Sequence, residues 1–234
     1  MALSEKIKLY IEKAVVVLCV VMTIFQVYTA ATLPLETFAQ RSIHLTFMYT
    51  IGFLIMSQKV NNPAYKALHY ICAALSLLVF IYVFVNRNVI TLRVTSLLQT
   101  DFVFGIISIV LVLFLTYRAL GIWMPLIAAV FILYAYVGPH LTGILRFRAV
   151  SLQRYLSTVY LSEQGIFGSI TGVSATYVFM FILFGEFLVE FGAGQFIIDL
   201  AESVFGRFRG GSSKIAVIAA GLFGMVSGSS PVIV

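Results

Sequence analysis

Apolar residues run in long blocks along this chain, and polar residues collect in the short stretches between them. A membrane-spanning helix needs roughly 17–25 mostly apolar residues. Ala14–Ala31 meets that need, preceded by the polar "SEKIKLYIEK" with Lys6, Lys8 and Lys13. Ile43–Met56 is shorter and carries His44, so it spans only if its polar ends reach the interfaces. Ala67–Val85 and Phe102–Tyr117 are further spans, and Ala119–Val137 follows at once, broken only by Gly121 and Pro125. A connection at Arg118 this short predicts a tight hairpin. A sixth span covers about Ile170–Val189.

Two stretches have a different period. In "GPHLTGILRFRAVSLQRYLSTVYLSEQG", Leu152, Tyr155, Leu156, Val159 and Tyr160 fall on one helical face, and Arg146, Arg148 and Arg154 make the segment too polar to span. That pattern predicts a helix lying in the membrane interface, with a domain boundary near residues 138–150. In "AGQFIIDLAESVFGRFRGG", Phe196, Ile197, Leu200, Val204 and Phe205 share one face, and Gln195, Asp199, Glu202 and Ser203 the other. A second surface helix is expected there, with Arg207 and Arg209 near its C-terminal end and Gly210–Gly211 stopping it. Ser212 or Ser213 then caps a helix over Lys214–Val226. No short-period internal repeat is visible.

Composition agrees with the pattern. The chain is 61% hydrophobic and 10% charged, against about 45–50% and about 25% in soluble domains. The fold class is therefore all-α, a polytopic integral membrane protein with about six spans. A signal peptide has one short apolar core, whereas these blocks recur throughout; the first can serve as an uncleaved signal-anchor. The net charge of +6 is scattered through connecting segments, which argues for lipid anchors rather than nucleic acid. Cys19 and Cys72 lie inside apolar blocks, and His44, His69 and His140 lack metal-ligand spacing, so no disulfide framework or metal site is expected. Charge bias leaves the orientation open. With the N-terminus inside, Lys6, Lys8, Lys13, Lys59, Lys66 and Arg118 face Arg41, Arg87, Arg93, Arg146, Arg148 and Arg154, six against six.

The segment "IAVIAAGLFGMV", Ile215–Val226, poses the chemical question. Its twelve apolar residues rise only about 18 Å as a helix, short of a hydrocarbon core of about 30 Å. "SGSS" then begins at Ser227. One reading is a re-entrant half-helix whose tip binds an ion: unwound backbone at that depth must line a cavity or be buried, and broken helices build ion sites in secondary transporters. The other is a helix end at the interface with a solvated Ser-Gly turn. Local sequence leaves both open.

The stretch from Gly172 to Ser230 resembles the start of the large membrane subunit of TRAP (tripartite ATP-independent periplasmic) transporters. The series "GAGQFIIDLA…GRFRGG…KIAVIAAGLFGMVSGS", Gly192 to Ser229, carries the resemblance most specifically, and the fused permeases of the TAXI branch are the most similar. "RSIHLTF" (Arg41–Phe47) and "LIAAVFILYAYVGPHLTG" (Leu126–Gly143) resemble the same permeases upstream. The resemblance implies a sodium-coupled importer of organic acids (carboxylates) in the inner membrane, supplied by an extracytoplasmic substrate-binding protein. It implies a small-subunit-like scaffold with a connecting helix over residues 1–140 and the start of the transport domain over 141–234. It places the sodium and substrate sites at the first re-entrant tip, here Ser227, Gly228, Ser229 and Ser230. Where the family continues with small residues this chain has "PVIV", so it resembles a permease cut short within the hairpin; a non-transporting membrane scaffold is the alternative.

Other residues carry weaker expectations. Glu186 and Glu190 lie one turn apart at the end of a span; intramembrane acids are functional candidates, so Glu186 is a possible coupling acid, although both can reach interfacial water. Asp101 reads as the solvated cap of its helix, and Arg41 as an anchor for lipid phosphates. Trp123 and the tyrosines fit interfacial belts. An intramembrane enzyme finds no support: no carboxylate pair or metal cluster is recognisable, "GMVSG" is not a nucleophile elbow, and a serine without a positioned base is a weak nucleophile.

Overall fold

The computed structural model describes residues 2–32, 35–206 and 211–227. Among these the chain forms helices and no strand, in the order α1 (Ala2–Ala31), α2 (Thr37–Gln58), α3 (Pro63–Ile90), α4 (Gln99–Leu120), α5 (Trp123–Val137), α6 (Leu152–Tyr160), α7 (Ser169–Val173), a π-helical turn Ser174–Val178, α8 (Phe179–Glu190), α9 (Ala193–Phe205) and α10 (Gly211–Ser227). Five helical runs among the described residues are long and apolar enough to cross a membrane: Lys8–Ala31, Pro63–Val94, Gln99–Leu120, Trp123–His140 and Ser169–Glu190. The chain divides into two compact units, Met1–Gly172 and Val173–Val234.

Local chemistry sets the ends of the helices. The Glu36 carboxylate accepts from the Phe38 and Ala39 amides at 3.1 Å, capping α2. Asn62 accepts from the Ala64 amide at the start of α3, with Pro63 in the first turn where its missing N–H costs nothing. The hairpin between α4 and α5 turns three residues beyond the expected place. Arg118 is still helical, and the chain breaks at Gly121, whose φ of 85° suits glycine.

The expected span at Ile43–Met56 is α2, and it differs from the others. Its 22 residues extend about 33 Å, but it is not among the strongly apolar runs. Its polar side chains turn inward instead: Gln40, Ser42, His44, Thr50 and Ser57 are all buried. Gln26 of α1 donates from Nε2 to His44 Nδ1 at 2.7 Å, and Thr50 Oγ1 lies 3.3 Å from Ser76 Oγ of α3. Small residues such as Ala73, Ser76 and Ser42 let helix backbones approach closely, the usual basis of packing in a bilayer. Polar groups inside the bundle are tolerated because they are paired. This helix is therefore largely surrounded by protein, with Met48 and Ile55 still exposed, while α1 and α5 expose most of their apolar surface.

Aromatic rings gather in the core of this unit. Phe167, in the loop after α6, is fully buried and lies 5.7 Å from Phe38, 6.0 Å from Phe80 and 6.0 Å from Tyr160, ring centre to ring centre. Tyr160 donates its hydroxyl to the Val79 carbonyl of α3 at 3.1 Å. Burial pushes that hydroxyl well above the ordinary tyrosine range, so it stays a donor. The face of α6 expected on lipid is thus partly spent on protein: Leu156 and Tyr160 are buried, and Leu152 remains exposed.

Two readings of charged residues are corrected here. Arg41 does not reach outward to headgroups; its Nη1 donates to the Phe167 carbonyl and lies 3.8 Å from Glu163, fixing the same loop. Gly172 leaves room for it, since a Cβ there would stand 2.9 Å from the Arg41 guanidinium. Asp101 is not solvated but fully buried. It accepts from the Tyr82 hydroxyl at 2.7 Å and the Leu98 amide at 3.2 Å, with Arg93 Nη1 at 3.7 Å. Being in the first turn of α4 it still serves the helix N-terminus, but from inside a network that ties α3 to α4.

Alternation of α1 to α3 makes a topological prediction. Single cysteines at Ser4 and Asn61 should label from one side of the membrane, and those at Glu36 and Asn88 from the other. Labelling of Ser4 and Asn61 from opposite sides would remove a crossing from this unit.

Candidate functional site

The second unit begins at Val173, and the π-helical turn Ser174–Val178 follows and runs into α8. Such a turn displaces the backbone hydrogen-bond ladder by one residue, and π-bulges occur often at functional sites. Nothing in the sequence pattern of "SATYV" announces it. Only two residues separate α8 from α9; Gly192, at φ 85°, supplies the left-handed conformation before α9.

α9 and α10 pack against each other through Ile197, Ala201 and Ala219, all buried, with Ile215, Ile218 and Leu222 half-buried around them. The expected face of α9 is therefore split. Ile197 is buried and Phe205 half-buried, whereas Phe196, Leu200 and Val204 remain exposed. The residue that was missed is Ala201: its small side chain admits the neighbouring helix, but carries little weight in a count of hydrophobic positions. α9 thus has one apolar strip on α10 and another free for lipid. On the polar side, Gln195 Nε2 donates to Asp199 Oδ1 at 2.8 Å.

These two faces predict different mutational costs. Leu200→Asp should lower the yield of membrane-assembled protein, by about 1 kcal/mol if the charge sits near the interface. Asp199→Asn, at an exposed i,i+4 pair, should stay within about 0.5 kcal/mol of wild type. Equal losses in detergent-extracted yield and unfolding midpoint would count against the two-faced assignment.

α10 begins at Gly211, one or two residues before the serines expected to cap it, and its 17 residues end at Ser227. That is about 25 Å of helix, and α10 is not among the runs long and apolar enough to cross. Of the expected site residues, Ser227 is the last residue of this helix; Gly228, Ser229 and Ser230 lie outside the described residues, as do Arg207, Arg209 and Gly210. Glu186 and Glu190 both stand exposed on α8. Sequence reading had also overlooked the buried polar seam of the first unit, including Gln26, whose only signal was a lone amide inside an apolar block.

Repeated apolar helices, inward-facing polar groups and a short apolar helix leading to small polar residues define a multi-pass helical membrane protein. Residues 107–232, more than half of the 234 in the chain, match the family model "Tripartite ATP-independent periplasmic transporter, DctM component". The chain belongs to that transporter family. The match starts within α4 and extends through α10. No curated protein and no solved structure matches the chain.

Proposed function

We propose that this chain works in a sodium-coupled permease of the fused TAXI type, importing organic acids across the inner membrane after delivery by an extracytoplasmic binding protein. The observation that carries the reading is the family match running through α10 to residue 232. The length of α10 is in keeping with it: a helix of about 25 Å is shorter than a hydrocarbon core of about 30 Å, so a chain entering from one face would reach Ser227 before the other. A helix C-terminus carries partial negative charge on its unpaired carbonyls. With the hydroxyls of Ser227, Ser229 and Ser230 it offers a cation an oxygen-rich site, Gly228 leaving the backbone free to turn. Sodium is the coupling ion in this reading, and Glu186 is a secondary candidate for coupling.

The division of labour proposed is a static scaffold and connecting helix over residues 1–140 and the start of the transport domain over 141–234. Uptake into proteoliposomes tests the function. With the binding protein outside, a complete permease containing this chain should accumulate a labelled carboxylate when sodium is high outside and low inside. Equal uptake under a matched potassium gradient would reject sodium coupling.

A further inference from the structure

The first unit contains an apolar cleft that its own side chains leave unfilled. It lies between α4, α5 and α6, with a volume of about 340 Å³, and is walled by Val112 and Leu113 of α4, Ala128, Phe131 and Ile132 of α5, and Val159 of α6. That volume falls in the roughly 300–1,000 Å³ range of ligand pockets. Void beside apolar walls forfeits dispersion contacts, and α5 is poorly supported otherwise, having no buried residue of its own.

The segments that follow α5 and enter α6 carry charge of one sign. From the end of α5 to Ser162 the chain holds no acidic residue, yet it contains Arg146, Arg148 and Arg154. Arg154 precedes Tyr155, which also lines the cleft. The segment bearing Arg146 and Arg148 folds back onto the end of α5: Tyr134 donates its hydroxyl to the Leu145 carbonyl at 2.7 Å, and its ring lies 5.0 Å from that of Phe147. Gly138 makes this return possible, because a Cβ there would stand 1.8 Å from the Phe147 ring. Arg146, Arg148 and Arg154 are all exposed and form no ion pair among the described residues. Ile144 and Leu145 beside them are exposed apolar residues, as expected of a segment seated at the lipid interface.

We propose that this cleft is a phospholipid site, with one acyl chain against α4, α5 and α6 and the phosphate held by Arg146, Arg148 and Arg154. Basic groups over a gap between membrane helices are suited to phosphate headgroups, and an acyl chain supplies the contacts that the walls lack. The lipid wedges α5 onto the bundle from the side. This site is independent of the sodium reading and is tested without transport.

The test is native mass spectrometry of the detergent-purified chain after phospholipid extraction, with add-back of phosphatidylglycerol or a diacylglycerol of the same acyl chains. The wild-type chain should retain or recover one phosphatidylglycerol and bind the diacylglycerol far less. Ala128→Trp, which fills the cleft, should abolish retention. A triple Arg146→Gln, Arg148→Gln, Arg154→Gln variant changes only exposed side chains and keeps the test valid if the tryptophan variant does not fold. It should weaken phosphatidylglycerol binding about tenfold or more, three surface cations being lost. Undiminished binding to either well-folded variant, equal binding of the two lipids, or a lipid-free dimer of the chain would overturn the proposal.

Discussion

Asp101→Ala should destabilise the protein by about 2–4 kcal/mol, a large loss for a single polar side chain. Removing one partner of a buried ion pair typically costs about 3–5 kcal/mol because the other charge is stranded. Here Arg93 keeps some access to solvent, with a quarter of its side chain exposed, which reduces that penalty. The remaining cost comes from the Tyr82 hydroxyl and the Leu98 amide, both deprived of their acceptor. Unmet buried hydrogen-bonding groups cost about 1–3 kcal/mol each, and Tyr82 recovers part of this through Thr100 Oγ1, 3.1 Å away. Asp101→Asn retains an acceptor oxygen and should lose less than the alanine variant. The measurement is reversible unfolding in mixed micelles, with Arg93→Gln as the paired variant. A loss below about 0.5 kcal/mol for Asp101→Ala, the scale of an uninvolved surface site, would mean that this carboxylate is solvated after all.

Asp101 also shows where sequence reading stops. Its position in the first turn of a helix was legible, because the apolar block starts at the next residue. Its burial was not, since Tyr82 and Arg93 meet it through the return of α3 against α4, a pairing across the bundle that no local pattern records. Arg41 failed in the same way: its partners, Glu163 and the Phe167 carbonyl, lie more than a hundred positions along the chain. The spans themselves were readable because lipid imposes a length on every crossing helix. α2 was the difficult case, since a helix enclosed by protein can carry His44, Gln40 and Thr50 and lose its apolar signature. In the second unit the amphipathic period of α9 was visible, but its contact with α10 depends on Ala201 and Ala219, whose smallness matters more than their hydrophobicity. The proposed ion site had a different kind of legibility. It was marked by a mismatch, an apolar run too short to cross that leads into serine and glycine, and Gly228, Ser229 and Ser230 lie outside the described residues.

Ser229→Ala should raise the sodium concentration for half-maximal uptake about tenfold in a complete permease containing this chain, with little change in expression. The proposal makes the Ser229 hydroxyl one of several oxygens that replace water around the ion. Losing a buried polar partner costs about 1–3 kcal/mol, and about 1.4 kcal/mol is one factor of ten in affinity. Ser227→Ala and Ser230→Ala should act in the same direction if their oxygens share the site. Ser229→Thr keeps the hydroxyl and should retain more sodium affinity than alanine, unless its methyl group crowds the tip. Ser96→Ala, outside the second unit, is the control and should leave the sodium response unchanged. Uptake measured over a range of sodium at fixed substrate separates ion binding from assembly, because a misassembled permease loses maximal rate without a systematic shift in half-saturation. An unaltered sodium response in all three alanine variants would make the tip a solvated helix end and place the ion site elsewhere in the permease.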